Sequence, residues 1–188
     1  ERVQFAKFAI DELKKELNQP AKDVKHMIFL ASVMTRAGAI SPQYLVEAEQ
    51  ILKEAIVISP TKQILYFELA QLYLMENRVD EALEVLRTTV KLEPAYDSAT
   101  VNFFAVAQLA RREDIIAEVR PLVLANIKTI NRELLDRAGN IFRERQEFTA
   151  AKDVYLELAA REPDNPKFLA LAAALLAELG EIEKAVIY

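Results

Sequence analysis

The chain has 188 residues, of which 52% are hydrophobic and 28% charged, and this length fits one domain or one short repeat array. Its 3 glycines, 7 prolines and lack of cysteine disfavour a β-sandwich or barrel and exclude disulfides and thiolate sites. With a net charge of −5 and no basic stretch, we expect no nucleic-acid partner. The longest uncharged runs, 98–110 and 168–177, are too short to span a bilayer, so no direct membrane insertion is expected.

The first predicted element is a helix over residues 1–18, with an apolar stripe that includes Phe8 and Leu13. The chain begins with Glu1 rather than Met, directly in this amphipathic pattern, so we expect a fragment or a processed product. At the other end, Tyr188 falls a few residues into a helical pattern. Residues 168–188 therefore predict an uncovered apolar patch, through which the chain self-associates or at which it frays.

From residue 24 onward the sequence repeats with a period of about 34 residues. Pro60 and Pro94 are 34 residues apart, and Pro163 follows 69 residues later, which is two further steps. The prolines end the similar segments AIVISP, TVKLEP and LAAREP, where a helix must stop. Each period is predicted to hold two antiparallel helices joined by a short turn, such as Asn77-Arg78.

Apolar residues recur at matching positions of successive periods. In the first helices they are Met27, Leu30, Ala31 and Met34; Tyr66, Leu69, Ala70 and Tyr73; Val101, Phe104 and Ala105; Leu135, Ala138, Gly139 and Phe142; and Leu169, Ala172, Ala173 and Leu176. In the second helices one position is always alanine: Ala48, Ala82, Ala117, Ala151 and Ala185. Small residues let the paired helices approach closely, and larger neighbours fill the core.

This pattern resembles the tetratricopeptide repeat, which places W-x2-L-G-x2-Y in the first helix and A-x3-F, then P, in the second, at a period of 34. The resemblance covers residues 24–188, although no repeat carries the tryptophan. It implies an all-α fold, an α-solenoid of antiparallel helix pairs wound as a right-handed superhelix. We divide the single array 1–188 into an N-terminal helix (1–18) and repeats at 24–60, 63–96, 98–130, 132–165 and 166–188, the last one truncated.

Two repeats depart from the pattern. The first contains five extra residues between its helices, where Gly38 is expected to end one helix and Ser41 to cap the next, with Pro42 in its first turn. In the third repeat, Pro121 stands at the aromatic position of the second helix. Proline removes a backbone donor, so that helix is expected to be kinked or split near Arg120.

The sequence offers little that could carry catalysis. The one histidine, His26, has no partner at a metal-ligating spacing and is expected to face solvent. Paired carboxylates such as Glu178 and Glu181 lie on polar helix faces and are expected to form surface ion pairs. The three glycines are isolated and form no phosphate-binding loop. We therefore expect no enzymatic activity, no metal and no cofactor.

Tetratricopeptide arrays hold a protein or peptide on a concave face lined by their first helices, and the resemblance implies the same use here. The residues expected on this face are Phe67, Gln71, Leu74, Asn102, Phe103, Val106, Asp136, Arg137, Asn140 and Arg143. An apolar stretch followed by a mixed-charge stretch suits an amphipathic helix or an extended segment. The alternative for the apolar members is that they pack between neighbouring first helices. Asn102 and Asp136 stand where members that bind acidic C-terminal peptides carry lysines, which disfavours that class of partner.

A second resemblance implies a different function. The segment SPQYLVEAEQILKEAIVISPTKQILYFELAQLYL is similar to the soluble tails of bacterial O-antigen ligase-like membrane proteins. It implies an extracytoplasmic accessory or regulatory domain of a glycan transferase whose catalytic helices lie outside this segment. The sequence leaves open the compartment (cytoplasmic, or periplasmic if the chain is such a tail), the partner's identity and the oligomeric state.

Overall fold

A computed structural model of the chain describes residues 2–17, 23–93 and 97–188. Within these ranges it contains eleven α-helices and no β-strand. The helices are α1 (Arg2–Leu17), α2 (Val24–Ala37), α3 (Gln43–Ile58), α4 (Gln63–Met75), α5 (Val79–Leu92), α6 (Asp97–Leu109), α7 (Glu113–Ala125), α8 (Arg132–Glu144), α9 (Phe148–Arg161), α10 (Pro166–Glu178) and α11 (Ile182–Ala185). From α2 onward, consecutive helices pack as five pairs. The predicted all-α fold of antiparallel helix pairs is confirmed.

The helices are grouped in two compact units. The N-terminal unit, Glu1–Leu92, contains α1 to α5, and the C-terminal unit, Glu93–Tyr188, contains α6 to α11. In the N-terminal unit, α2 packs against α1, α3 and α4, and α4 packs also against α3 and α5. In the C-terminal unit, α6 packs against α7 and α8, while α9 packs against α8 and α10.

The same tight turn joins the helices of four pairs. One residue in each turn has a left-handed backbone: Asn77 (φ 58°), Arg111 (φ 55°), Gln146 (φ 60°) and Gly180 (φ 78°). The amide of the next residue then donates to a carbonyl five residues earlier, as from Arg78 to Tyr73 (2.8 Å) and from Glu147 to Phe142 (2.9 Å). This geometry satisfies carbonyls that the helix end leaves without partners. The predicted turn at Asn77-Arg78 is therefore one instance of a repeated device.

The residues that recur along the sequence form the cores of the two units. Most of the first-helix set is buried: Met27, Leu30, Ala31, Met34, Tyr66, Leu69, Ala70, Tyr73, Val101, Phe104, Ala105, Leu135, Ala138, Phe142, Ala172 and Leu176. Gly139 shows why some positions need a small residue. A Cβ atom there would lie 2.8 Å from Val154 Cγ1 and 2.9 Å from Tyr155 Cε2, closer than real contacts allow. The second helix α9 thus packs directly against the α8 backbone.

The second helix of the third repeat differs from its prediction in its buried residues; of the two alternatives expected near Arg120, it excludes the split, and the kink stays a prediction. Ala117 is exposed, and the buried residues of α7 are Ile115, Ile116, Val119 and Val123, so the expected role of Ala117 as the small packing residue is wrong. The helix is also not split, because Pro121 lies inside the single element Glu113–Ala125. Pro121 and Ala117 are one turn apart on the exposed side of α7. The carbonyl that loses its donor therefore belongs to the solvent side, where the loss costs little.

Arg161 closes the end of this repeat. The helix α7 stops at Ala125, and the loop that follows leads to Ile130, which is fully buried. From the last turn of α9, Arg161 donates one Nη to the carbonyl oxygen of Ile130 and the other to that of Ile127, both at 2.6 Å, while Nε donates to Glu157 at 2.8 Å. A single guanidinium thus holds the loop that stands where other repeats have a proline.

Three smaller expectations had different outcomes. In α1, Ile10 is fully buried, Leu13 is half-buried and Phe8 is exposed, so the prediction is wrong for Phe8. Gly38 does end α2, but α3 begins after Pro42 without a side-chain cap, and Ser41 contributes only its carbonyl, to the Tyr44 amide. Pro94, expected to end α5, lies outside the described residues.

A carboxylate of α3 ties the first two repeats together. Glu49 accepts hydrogen bonds from Tyr73 Oη (2.9 Å), Arg78 Nη1 (2.9 Å) and Lys53 Nζ (2.7 Å), and the Arg78 guanidinium lies over the Tyr73 ring. Burial opposes the ionisation of Glu49, but the bonds from Arg78, Lys53 and Tyr73 outweigh it and lower the pKa of Glu49 to about 2. The charged form of Glu49 is therefore part of the packed structure of the N-terminal unit.

Candidate functional site

The three predicted contact residues of the N-terminal unit share one face of α4. Phe67, Gln71 and Leu74 are four and three residues apart, the spacing of one helical face. Gln71 is exposed, Leu74 is 38% exposed and Phe67 is half-buried. Ile64, one turn before Phe67, is also exposed. This face therefore offers a mostly apolar surface.

Two predicted contact residues of α6 belong to the core instead. Phe103 is 1% exposed and Val106 is 8% exposed, so neither side chain can meet a partner on the surface as the sequence suggested. The reason is that α6 packs against both α7 and α8, which leaves few of its side chains accessible. Asn102 and Gln108 remain half-buried and Leu109 is 80% exposed. For Phe103 and Val106 the alternative, packing within the fold, is the correct one.

The first helices α6 and α8 of the C-terminal unit enclose a groove of about 330 Å³. Its lining includes Gln108, Leu109, Glu133, Asp136, Arg137, Asn140 and Glu144. Three of these, Asp136, Arg137 and Asn140, are predicted site residues. Ala105 and Ile141 line it as well as Leu109, so the groove combines charged, amide and apolar groups, whereas the α4 face carries no charge at its predicted contact positions.

Hydrogen bonds between helices fix the polar groups of this groove. Arg137 Nη1 on α8 donates to Asn102 Oδ1 on α6 at 2.8 Å. Lys167 Nζ on α10 forms an ion pair with Asp136 Oδ2 at 2.5 Å. The predicted residues Asn102, Asp136 and Arg137 are thus brought together with a lysine that the sequence did not single out.

A buried tyrosine supports the groove from behind. The Tyr155 hydroxyl on α9 lies 3.0 Å from Asn140 Oδ1 and 3.4 Å from Asp136 Oδ1, and Arg143 Nη1 also donates to Asn140 Oδ1 at 3.4 Å. Burial, together with the nearby Asp136 charge, raises the pKa of Tyr155 to about 12, although Arg143 acts in the opposite direction. Tyr155 therefore keeps its proton near neutral pH and remains a donor to the groove residues.

One end of the groove is closed by an arginine network. Arg145, directly after α8, donates to Gln108 Oε1 at 2.9 Å, to Glu113 Oε2 at 2.7 Å and to Glu147 Oε1 at 2.7 Å. These bonds connect the ends of α6 and α8 with the starts of α7 and α9. They place Leu109 and Glu144, the neighbours of Gln108 and Arg145 in sequence, at the same end of the groove.

The described residues contain no cluster typical of a metal centre. Within them, no three His, Cys, Asp or Glu side chains stand together in a metal-binding arrangement. His26 is exposed, with Nδ1 3.4 Å from Asp23 Oδ2 at the start of α2. None of the described helices combines the length and apolar character needed to cross a membrane.

The predicted apolar patch at 168–188 is partly internal. Phe168, Leu175 and Leu176 are buried, whereas Ile182 and Val186 are exposed. Self-association through residues 168–188 stays a prediction.

The residues that line or support the groove and were not foreseen include Glu133, Glu144, Tyr155 and Lys167. For Glu133 and Glu144 a signal exists, because they stand four residues before and seven after Arg137, on the same helical face. Lys167 and Tyr155 belong to other helices, 31 and 19 residues from Asp136. No local pattern could have found them.

Comparison with known proteins finds similarity to a repeat family over part of the chain. Residues 43–100 match the family model of the tetratricopeptide repeat. Solved structures with the same fold include a tetratricopeptide repeat protein from Parabacteroides merdae (15% identity, TM-score 0.61, 95% of this chain and 69% of that one covered). They also include a thermophilic TPR protein from Thermus thermophilus (17%, 0.58, 92% and 91%) and YrrB, a TPR protein with an unusual peptide-binding site (14%, 0.57, 92% and 86%).

At these identities the structural similarity establishes the fold alone. No curated protein sequence matches the chain significantly. Nothing in the comparisons bears on the resemblance to O-antigen ligase-like tails, which stays a prediction, as does the division into repeats at the residue numbers given above.

Proposed function

We propose that this chain, which matches the tetratricopeptide repeat model over residues 43–100 and shares the fold of solved TPR proteins, is a non-catalytic scaffold that binds a protein or peptide through its first helices. Proteins of this fold generally serve as interaction scaffolds. The accessible predicted residues supply two surfaces of different character, each within one unit. One is the mostly apolar α4 face with Phe67, Gln71 and Leu74, and the other is the α6–α8 groove with its charged and amide groups.

The observation that carries the proposal is the ordered polar lining of the α6–α8 groove. Arg137 and Asn140 line the groove, and each is held before any ligand arrives, Arg137 by its hydrogen bond to Asn102 on α6 and Asn140 by the one from Tyr155 on α9. A preorganised site loses less side-chain entropy on binding than a flexible one. Leu109, 80% exposed, adds apolar contact area beside these polar groups. A concave, partly apolar surface with a few fixed polar groups is typical of peptide sites.

Partner capture followed by affinity measurement tests this function. The chain is used as bait in an extract of its source organism, and the dissociation constant of the purified partner is then measured. Phe67→Ala and Asn102→Ala should each weaken binding by more than ~1 kcal/mol, which is about fivefold, if these residues are anchors. Circular dichroism checks that both variants remain folded, since Phe67 is half-buried.

The control is Lys91→Ala, an exposed residue of the second helix α5, and its affinity should equal that of the unmodified chain. If Phe67→Ala and Asn102→Ala also bind with unchanged affinity, the partner does not use the first-helix faces and the proposal is wrong.

A further inference from the structure

The charges of α8 that line the groove follow a fixed order. Glu133, Arg137, Asn140 and Glu144 all line it and recur at steps of four, three and four residues, so they share one helical face. With a rise of about 1.5 Å per residue, Arg137 stands about 6 Å beyond Glu133, and Glu144 about 10 Å beyond Arg137. Along the groove the order is negative, positive, amide, negative.

Among the described residues, none of these three charges forms an ion pair. Asp136 has Lys167 as its partner, but among the described residues neither Glu133 nor Glu144 forms an ion pair. Arg137 donates to the neutral amide of Asn102, so its positive charge also remains uncompensated. Charges in a partly enclosed groove interact more strongly with a ligand than fully solvated ones.

The two asparagine amides strengthen the central positive position. Asn102 Oδ1 accepts from Arg137, and Asn140 Oδ1 accepts from Tyr155. Each amide oxygen is thereby fixed, and the Nδ2 groups donate to no described residue. An acidic side chain beside Arg137 could accept from the guanidinium and from these amides together.

We infer that the α6–α8 groove selects an extended peptide in which one acidic side chain lies between two basic ones. This inference rests on the proposed function and specifies its ligand. At about 3.3 Å per residue, the 6 Å and 10 Å intervals correspond to two and three peptide residues, giving the order Lys-x-Glu-x-x-Lys or its Arg and Asp equivalents. The same flanking carboxylates, Glu133 and Glu144, repel a peptide that carries a run of acidic residues.

Leu109 fits the second basic position. It lies at the same end of the groove as Glu144, because Arg145 joins that end of α8 to Gln108. The aliphatic part of a lysine or arginine side chain can pack on Leu109 while its charge reaches Glu144. A basic residue can therefore contact both the Leu109 side chain and the Glu144 carboxylate, whereas a short polar residue can contact neither.

Selection from a random peptide library tests the inference. A phage-displayed library of 12-residue peptides is panned on the full chain, and the enriched peptides are synthesised and measured by fluorescence anisotropy. Enriched peptides should show an acidic residue between two basic ones. In the protein, Glu133→Gln and Glu144→Gln should each weaken the binding of these peptides at least fivefold. In the peptide, replacing both basic residues by acidic ones and the acidic residue by lysine should weaken binding at least tenfold. Both variants lie at exposed positions and should keep the circular dichroism of the unmodified chain.

Reversing one charge in the protein and the matching charge in the peptide is the most specific test of the inference. Glu144→Lys should reject the enriched peptide but regain affinity for a version whose second basic residue is replaced by glutamate. Failure of this exchange overturns the inference. If Asn102→Ala abolishes binding of the enriched peptides but Glu133→Gln and Glu144→Gln leave their affinity unchanged, the groove binds peptides of another kind. The inference then fails and the proposed function stands. If no enriched peptide is affected by Asn102→Ala or Phe67→Ala, both are wrong.

Discussion

Truncating a core leucine in each unit tests whether the two units lose stability separately. Leu69 on α4 is 4% exposed and Leu135 on α8 is 0% exposed. Replacing leucine by alanine removes three carbon atoms, worth about 0.8 kcal/mol each, and leaves a cavity that adds to the loss. We therefore expect Leu69→Ala and Leu135→Ala each to reduce the free energy of unfolding by about 3 kcal/mol. This is a large fraction of the total free energy of unfolding of a typical domain.

Hydrogen exchange followed by mass spectrometry shows where the loss falls. In a repeat protein each repeat contacts only its neighbours, so stability is roughly a sum of local terms. Leu69→Ala should raise amide exchange in residues 24–92 and leave residues 97–188 little changed, and Leu135→Ala should do the reverse. Urea denaturation of the same samples gives the size of the loss.

The matched control is Leu109→Ala, because Leu109 is 80% exposed. It should change the free energy of unfolding by less than about 0.5 kcal/mol. A uniform rise of exchange over the whole chain for either core variant would show one cooperative unit and refute the reasoning. A loss of less than about 1 kcal/mol for Leu69→Ala would mean that α4 is not packed as the structure has it.

Two further predictions concern polar groups. Arg161→Met leaves the carbonyls of Ile127 and Ile130 without their donor and should cost about 1–3 kcal/mol in urea denaturation; an unchanged midpoint would contradict this role. The pKa of Glu49 is about 2 in the folded chain against an ordinary value of 4.5, so its contribution to stability is complete above pH 4.5 and is lost as the pH falls towards 2. Glu49→Gln should therefore be less stable than the unmodified chain at pH 7 and lose less of its stability between pH 4.5 and 2 in thermal unfolding, and identical pH profiles would refute this.

The helix pairs and most of the core are consequences of the sequence alone. Apolar residues such as Leu30, Leu69 and Leu135 recur at helical spacing, and a helix with one apolar stripe can bury it in only one orientation. The 34-residue period then makes successive helix pairs pack alike, because the apolar positions recur at the same places in each pair. The helical surface around Arg137 follows equally from spacing, since residues four and seven apart share a face.

The tertiary structure decided which side chains remain accessible and which charges find a partner. The helix α6 is apolar on several sides, so its sequence does not indicate which side faces a neighbour; packing against α7 and α8 removed Phe103 and Val106 from the surface and left Leu109 on it. In α7 the predicted buried position was off by one residue, because a step of one residue turns a side chain by about 100° around the helix. The partners of Asp136 come from α9 and α10, 19 and 31 residues away. Such through-space contacts leave no local pattern in the sequence, and they determine which charges of the groove have an ion-pair partner among the described residues.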